Sequence, residues 1–156
     1  MNTETVPRQA QHPVGRLDGT ETWVRYLVPV GRAAFAWAHV WFAPLNFSPQ
    51  GVAWAAQQGV PMPGLLVPLA GVLSLAGGLS VILGYRARLG AWLLVVFLVP
   101  VMLLLHNFWA VKDPMMAQIQ QGFFIANLSR VGAALLIAYY GAGPVSLDAR
   151  ASAGRP

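Results

Sequence analysis

The chain has 156 residues, of which 56% are hydrophobic and 10% charged, with a formal net charge of +5 and no cysteine. A soluble domain carries about a quarter charged residues, so this composition excludes an ordinary soluble protein and indicates a membrane protein. The lack of cysteine excludes disulfides, thiol chemistry and metal bound by thiolates.

The first 25 residues are polar, contain two prolines and lack the apolar core of a signal peptide. We therefore predict that residues 1–25 form a cytoplasmic N-terminal tail. The sequence after residue 143 is again small and polar, and residues 144–156 are predicted to form a cytoplasmic C-terminal tail.

Four apolar segments lie between these tails and predict a membrane domain at residues 26–143. Each is close to the roughly 20 residues that a helix needs to cross a bilayer. Helices are expected because unpaired backbone amides are too costly in lipid. The predicted fold is therefore an all-α membrane protein, a bundle of four transmembrane helices at about 26–46, 64–84, 89–110 and 123–143.

The loop between the first two crossings contains a signal for a short helix. Ser48 followed by Pro49 is the pattern of an N-cap with proline in the first turn. Gly59 is placed to end this helix. The loop carries no charge, so we predict an interfacial helix on the outer face of the membrane.

The basic residues predict the orientation of the bundle. Arginines occur in both tails and in the turn after the second apolar segment, at Arg86 and Arg88. With four crossings these positions all fall on one side, which the positive-inside rule makes the cytoplasm. The expected location is a plasma membrane, multi-pass, with both termini cytoplasmic. Because topology accounts for the positive charge, we expect no nucleic-acid partner.

Four polar side chains interrupt the apolar segments in their predicted outer half: His39, His106, Asn127 and Arg130. His106 and Asn127 each lie about four residues from a predicted outer helix end, which predicts that they are level. Asn127 and Arg130 are three apart and share a helix face. A charge at a helix centre costs about 2.5–3.5 kcal/mol and needs a partner. Together with Trp109, these residues are predicted to line a ligand-binding pocket.

Other interpretations of the same residues remain open. Trp109 lies where an aromatic belt is expected, and His106 could bond a neighbouring helix or interfacial water. Arg130 could reach toward the headgroups or hold helices together. His39 and His106 lie at similar predicted depth, so ligation of a haem by two histidines is a third interpretation. No metal site and no catalytic residue is predicted.

The chain resembles the DoxX family of small four-helix membrane proteins. The pieces that carry the resemblance are Gly31-Arg32, QQGVPMP before the second helix, GGLSVILGYRARLGA across the following turn, HNFWA, FFIANLSRVGAALL and GPVSLD. Together they cover roughly residues 26–148.

The resemblance implies a bacterial inner membrane protein and a role near quinone chemistry, because the family is associated with thiosulfate:quinone oxidoreductase and with membrane redox complexes. We expect an accessory subunit of a quinone-linked redox complex, without an intrinsic cofactor and at most a subunit of an enzyme. A bound quinone would accept hydrogen bonds from Arg130 or His106. Expected partners are membrane lipid, other redox subunits or further copies of the chain. The alternative is a non-redox protein: a transporter, a lipid-binding protein or an assembly factor.

Overall fold

The computed structural model describes residues 23–154, and the described chain is helical without a β-strand. Most of the predicted N-terminal tail lies outside these residues. Six α-helices and two short 3₁₀ turns (Ala43–Phe47 and Phe108–Ala110) follow one another. The α-helices are α1 Val24–Phe42, α2 Pro49–Gln57, α3 Pro63–Leu83, α4 Ala87–Leu105, α5 Pro114–Tyr140 and α6 Leu147–Ala153.

The four long helices pack in chain order, α1 on α3, α3 on α4 and α4 on α5. Glycines allow the closest of these approaches. A Cβ atom at Gly77 of α3 would lie 2.9 Å from the carbonyl oxygen of Gly90 in α4. In lipid no hydrophobic effect drives helices together, so their association depends on close packing. Small residues such as these glycines let the helix backbones approach closely. The centre of the bundle is a cluster of buried residues: Ala36, Val81, Ala91 and Leu94.

Three of the described segments are long and apolar enough to cross a membrane: α3 at Pro63–Leu83, α4 with the turn that follows it at Ala87–Ala110, and α5 at Pro114–Tyr140. Large apolar side chains cover their outward faces, as lipid contact requires. The helix α1 is also apolar outside, with Trp37 and Trp41 exposed, but it contains the buried Arg32 and His39. The predicted crossing by α1, and with it the count of four, stays a prediction.

The first loop folds as its capping signal predicts. The Ser48 hydroxyl accepts a 3.0 Å hydrogen bond from the backbone N–H of Gly51, and Pro49 is the first residue of α2. Gly59 follows the helix with a φ of +80°, a conformation that favours glycine. These observations confirm a helix with this N-cap, whereas its position at the membrane surface stays a prediction.

The bounds of the last two long helices differ from the prediction. The helix α4 ends at Leu105, so the sequence HNFW follows the helix instead of closing it. The helix α5 begins at Pro114 instead of near residue 123. Asp113 is the cause, because its carboxylate accepts a 2.7 Å hydrogen bond from the N–H of Met116 and caps the earlier start.

The end of the described chain is folded as well. Ser146 is buried, and its hydroxyl accepts a 3.1 Å hydrogen bond from the N–H of Ala149, which caps α6. Residues 144–153, predicted to belong to a polar tail, therefore include a short helix held against the bundle. The contacts that hold it lie at the end of the bundle where α3 ends and α4 begins.

Candidate functional site

A cavity of about 830 Å³ lies between α2, α3 and α4. Its lining is almost wholly apolar, with leucine and valine from α3 and α4 facing Trp54 of α2. Asn46, Gln50 and His106 supply the polar side chains of the lining besides the indole of Trp54. The volume falls in the range of about 300–1,000 Å³ that small-molecule sites occupy.

His106 is the predicted site residue that lines this cavity. It follows α4 directly, and its Nδ1 lies 2.8 Å from Oε1 of Gln120 on α5. Its ring also packs on Phe123, with the ring centres 5.3 Å apart. His106 is thus fixed from the side of α5 while it contributes a polar edge to an apolar cavity.

His39 lies inside the bundle, only 6% exposed. Its ring packs between Phe35 of α1 and Phe97 of α4, at centre-to-centre distances of 5.6 and 5.8 Å. Its backbone carbonyl accepts a 3.0 Å hydrogen bond from Ser74 of α3. The ring nitrogen Nε2 is buried and has no hydrogen-bond partner among the described residues.

Asn127 and Arg130 form a pair on the inward face of α5. The guanidinium of Arg130 donates a 2.8 Å hydrogen bond to Oδ1 of Asn127, which is 6% exposed. Their predicted common face is therefore confirmed. Arg130 is also the neighbouring charge that acts on the His39 ring, so α1 and α5 bring these two side chains within electrostatic reach.

Trp109 is 59% exposed and belongs to an aromatic group at the end of α4. Its ring lies edge-on to Phe108 and Phe124, with ring centres 5.2 and 5.7 Å apart. Phe108 contacts Phe124 in the same way. The exposed indole fits the interfacial belt as well as a ligand site.

The five residues predicted to line one pocket lie in different parts of the bundle. His106 bonds Gln120, which lies about 15 Å from Arg130 along α5, at a rise of about 1.5 Å per residue. Asn127 lies about 10 Å from Gln120 by the same measure, so the prediction that His106 is level with Asn127 is wrong. The earlier start of α5 explains the error. Neither Asn127 nor Arg130 lines the cavity that contains His106.

A second group of polar residues, which the pocket prediction did not include, joins α1, α4 and the C-terminal segment. The buried guanidinium of Arg32 donates hydrogen bonds to the carbonyls of Ala142 and, at 2.9 Å, Val145. The carboxylate of Asp148 accepts hydrogen bonds of 2.7 and 3.0 Å from the N–H groups of Arg86 and Ala87. We call the contacts of Arg32 and Asp148 the C-terminal clasp.

Among the described residues, no group of three or more His, Asp or Glu side chains could hold a metal ion. The carboxylates of the described chain, Asp113 and Asp148, both cap helices. The described parts of the long helices therefore contain arginines, a histidine, amides and hydroxyls as polar groups, and no carboxylate.

Comparison with known proteins identifies the family. The sequence profile of the DoxX family matches residues 10–107, more than half of the chain. The chain belongs to the DoxX family. A second profile, that of the SURF4 family, matches residues 66–152 and overlaps the DoxX match across α3 and α4.

A curated relative agrees with this placement. Inner membrane protein YphA of Escherichia coli (strain K12) is 30% identical over 99 residues, which cover 64% of this chain and 70% of that protein. No solved structure matches. The family, this relative and the apolar helices together show that this DoxX protein is a multi-pass integral membrane protein in contact with lipid.

The structure explains three of the sequence pieces that resemble DoxX. Gly31-Arg32, the turn GYRARLGA and the segment GPVSLD are far apart in the chain, but all three contribute to the C-terminal clasp. Gly84 of the turn has a φ of +64°, and a Cβ there would meet the Arg32 guanidinium and Cβ of Ser146. These DoxX motifs therefore hold the bundle together at one end and do not line the cavity.

Proposed function

We propose that this DoxX protein is an accessory subunit of a quinone-linked redox complex in a bacterial inner membrane, with four crossings and both termini cytoplasmic. The observation that carries the proposal is the apolar cavity of about 830 Å³ with His106 at its edge. A quinone combines a flat apolar ring with two carbonyl oxygens, so a lipophilic cavity with few polar groups suits it.

The hydrogen bond between His106 and Gln120 supports either redox form of such a ligand. If the Gln120 oxygen accepts from Nδ1–H, then Nε2 of His106 is free to accept from a quinol hydroxyl. If the amide turns and donates to Nδ1, then Nε2 carries the proton and can donate to a quinone carbonyl. The pair therefore supplies a donor or an acceptor without a change of charge.

Trp54 gives a direct test, because it lines the cavity and a bound quinone would quench its fluorescence. The probe is decylubiquinone, titrated into the purified full chain in mild detergent. Ala70 lines the cavity, whereas Ala76 is an exposed residue of the same helix outside it. We expect Ala70→Leu to abolish quenching that depends on Trp54, and Ala76→Leu to leave it unchanged.

The same titration can contradict the proposal. Quenching that survives both Ala70→Leu and Trp54→Phe would place the quinone elsewhere or in the detergent. The accessory role needs a second experiment, mass spectrometry of the proteins and lipids that copurify in mild detergent. Redox subunits or endogenous quinone among them would support the proposal.

The alternative is a lipid-binding protein, which the lining itself favours. Leucines and valines surround most of the cavity, and an acyl chain needs no polar partner. A phospholipid that copurifies in place of quinone, and that Ala70→Leu removes, would favour this alternative.

A further inference from the structure

Arg130 places a positive charge within a helix long enough to cross the membrane, away from the chain's described carboxylates. Asp113 caps the start of α5 and Asp148 caps the start of α4, so neither neutralises Arg130. Within the described chain the guanidinium makes one side-chain hydrogen bond, to Asn127. Because an unpaired charge at this depth is costly, its other donors need an acceptor.

His39 adds a second unused group beside this charge. Its side chain is more than nine-tenths buried, and Nε2 has no partner among the described residues. A buried ring nitrogen without a partner loses hydrogen bonds that water would have made. His39 lies on α1 and Arg130 on α5, and the positive charge of Arg130 acts on the His39 ring. A ligand that offers acceptor atoms to both side chains would satisfy them.

The side of the bundle between α1 and α5 gives such a ligand a route. In the described bundle these two helices lie at the ends of the row and do not share an interface like those of α1 with α3 or α4 with α5. We call this side the α1–α5 seam. Arg130 is partly exposed, and apolar side chains such as Trp37 of α1 and Leu128 of α5 are exposed on the two helices. A molecule in the lipid therefore meets an apolar surface close to the Arg130 charge.

We propose that Arg130, Asn127 and His39 form a site for the anionic headgroup of an acyl lipid that enters through the α1–α5 seam. One guanidinium balances one negative charge, so a monoanion is expected: the carboxylate of a fatty acid or the phosphodiester of a phospholipid. The planar fork of arginine donates two parallel hydrogen bonds to such a group. His39 with Nε2 protonated adds a third donor. This site is separate from the His106 cavity and does not depend on the quinone proposal.

The experiment measures binding to the purified full chain in neutral maltoside detergent, by native mass spectrometry and by the shift of the melting temperature. The probes are laurate, dodecanol with the same chain and no charge, acetate with the charge and no chain, and phosphatidylglycerol. We expect laurate or phosphatidylglycerol to bind and stabilise, and dodecanol and acetate to do neither. Which of the two anionic lipids binds more tightly distinguishes the carboxylate from the phosphodiester.

The variants distinguish binding at this site from a general attraction of anionic lipid to the positively charged protein. Arg130→Gln should weaken binding of the preferred lipid by about ten-fold to a hundred-fold, because charge-assisted hydrogen bonds are lost. Arg130→Lys keeps the charge without the fork and should give an intermediate affinity. His39→Leu should weaken binding by about two-fold to ten-fold. The control Arg150→Gln, on the exposed face of α6, should bind like the wild type.

Equal binding of dodecanol and laurate would overturn the proposal, and so would an Arg130→Gln affinity equal to that of Arg150→Gln. If Arg130→Gln does not fold, then Arg130→Lys and His39→Leu carry the test, and wild-type affinity in both would also overturn it.

Discussion

The carboxylate of Asp148 accepts a 2.7 Å hydrogen bond from the backbone N–H of Arg86, although 62 residues separate them in the chain. A second bond of 3.0 Å comes from Ala87, the first residue of α4. Asp148 therefore caps α4 from another part of the chain, at the helix end where a negative charge is favoured. The backbone N–H of Asp148 donates in turn to the carbonyl of Gly84 at 2.9 Å.

Removal of this long-range cap should destabilise the bundle. Asp148→Ala leaves the N–H groups of Arg86 and Ala87, at the start of α4, without their acceptor, at a cost of about 0.5–2 kcal/mol. Asp148→Asn keeps one acceptor oxygen and should lose less. The measurement is the unfolding midpoint of the full chain in mild detergent, with the exposed Arg150→Ala of the same helix as control. A midpoint for Asp148→Ala equal to that of the control would mean that the clasp contributes nothing.

Gly84 should tolerate a methyl group poorly. Its φ of +64° disfavours alanine, by roughly 1–2 kcal/mol, and the added Cβ would meet the Arg32 guanidinium. Gly84→Ala should therefore lower the unfolding midpoint. The matched control is Gly132→Ala in α5, where nothing lies within 4 Å of the new Cβ and helix propensity improves. A loss of stability in Gly132→Ala as large as in Gly84→Ala would contradict the steric explanation.

The proposed topology can be tested by labelling single cysteines in intact cells with a reagent that does not cross the membrane. Tyr85 lies in the turn between α3 and α4 and is 54% exposed, so a cysteine there is accessible to the reagent. We expect Tyr85→Cys and Ser152→Cys to be shielded and Gln57→Cys to react. Lysed cells provide the control, because all three should then react. Labelling of Tyr85→Cys before lysis would reverse the orientation.

The parts of the fold that local signals determine were predictable. The apolar segment at 64–84 corresponds to α3 at Pro63–Leu83, and Ser48 caps α2 as its sequence indicates. The start of α5 was missed although Asp113-Pro114 is a capping signal, because Gln118, Gln120 and Gln121 lie before the apolar segment from which the helix was predicted. The missed turns of α5 then placed Asn127 at the wrong depth relative to His106.

The clasp and the arrangement of the site could not be predicted from local patterns. Nothing near Asp148 in the chain indicates that its partners are the N–H groups of Arg86 and Ala87, because such a contact depends on the packed bundle. Nor does the sequence around Arg32 indicate that its guanidinium bonds the carbonyls of Ala142 and Val145, which follow it by 110 and 113 residues. The periodicity of the sequence predicted the face and the depth of each side chain. Which faces contact one another depends on how the helices pack, and local patterns do not determine that.

The separation of His106 from Arg130 predicts two independent responses to ligands. Gln120, the partner of His106, lies about 15 Å from Arg130 along the axis of α5. His106→Ala should weaken decylubiquinone binding by up to about ten-fold, the loss of one neutral hydrogen bond, and leave laurate unaffected. Arg130→Gln should weaken laurate binding and leave decylubiquinone binding unaffected.

Because sites that share no partner are additive within about 0.3–0.5 kcal/mol, the double variant should show each single effect unchanged. The measurement is both titrations on all four proteins, with Arg150→Gln as the charge control. Coupling above that range in the double variant, for either ligand, would show instead that one ligand touches both residues and that the sites are one.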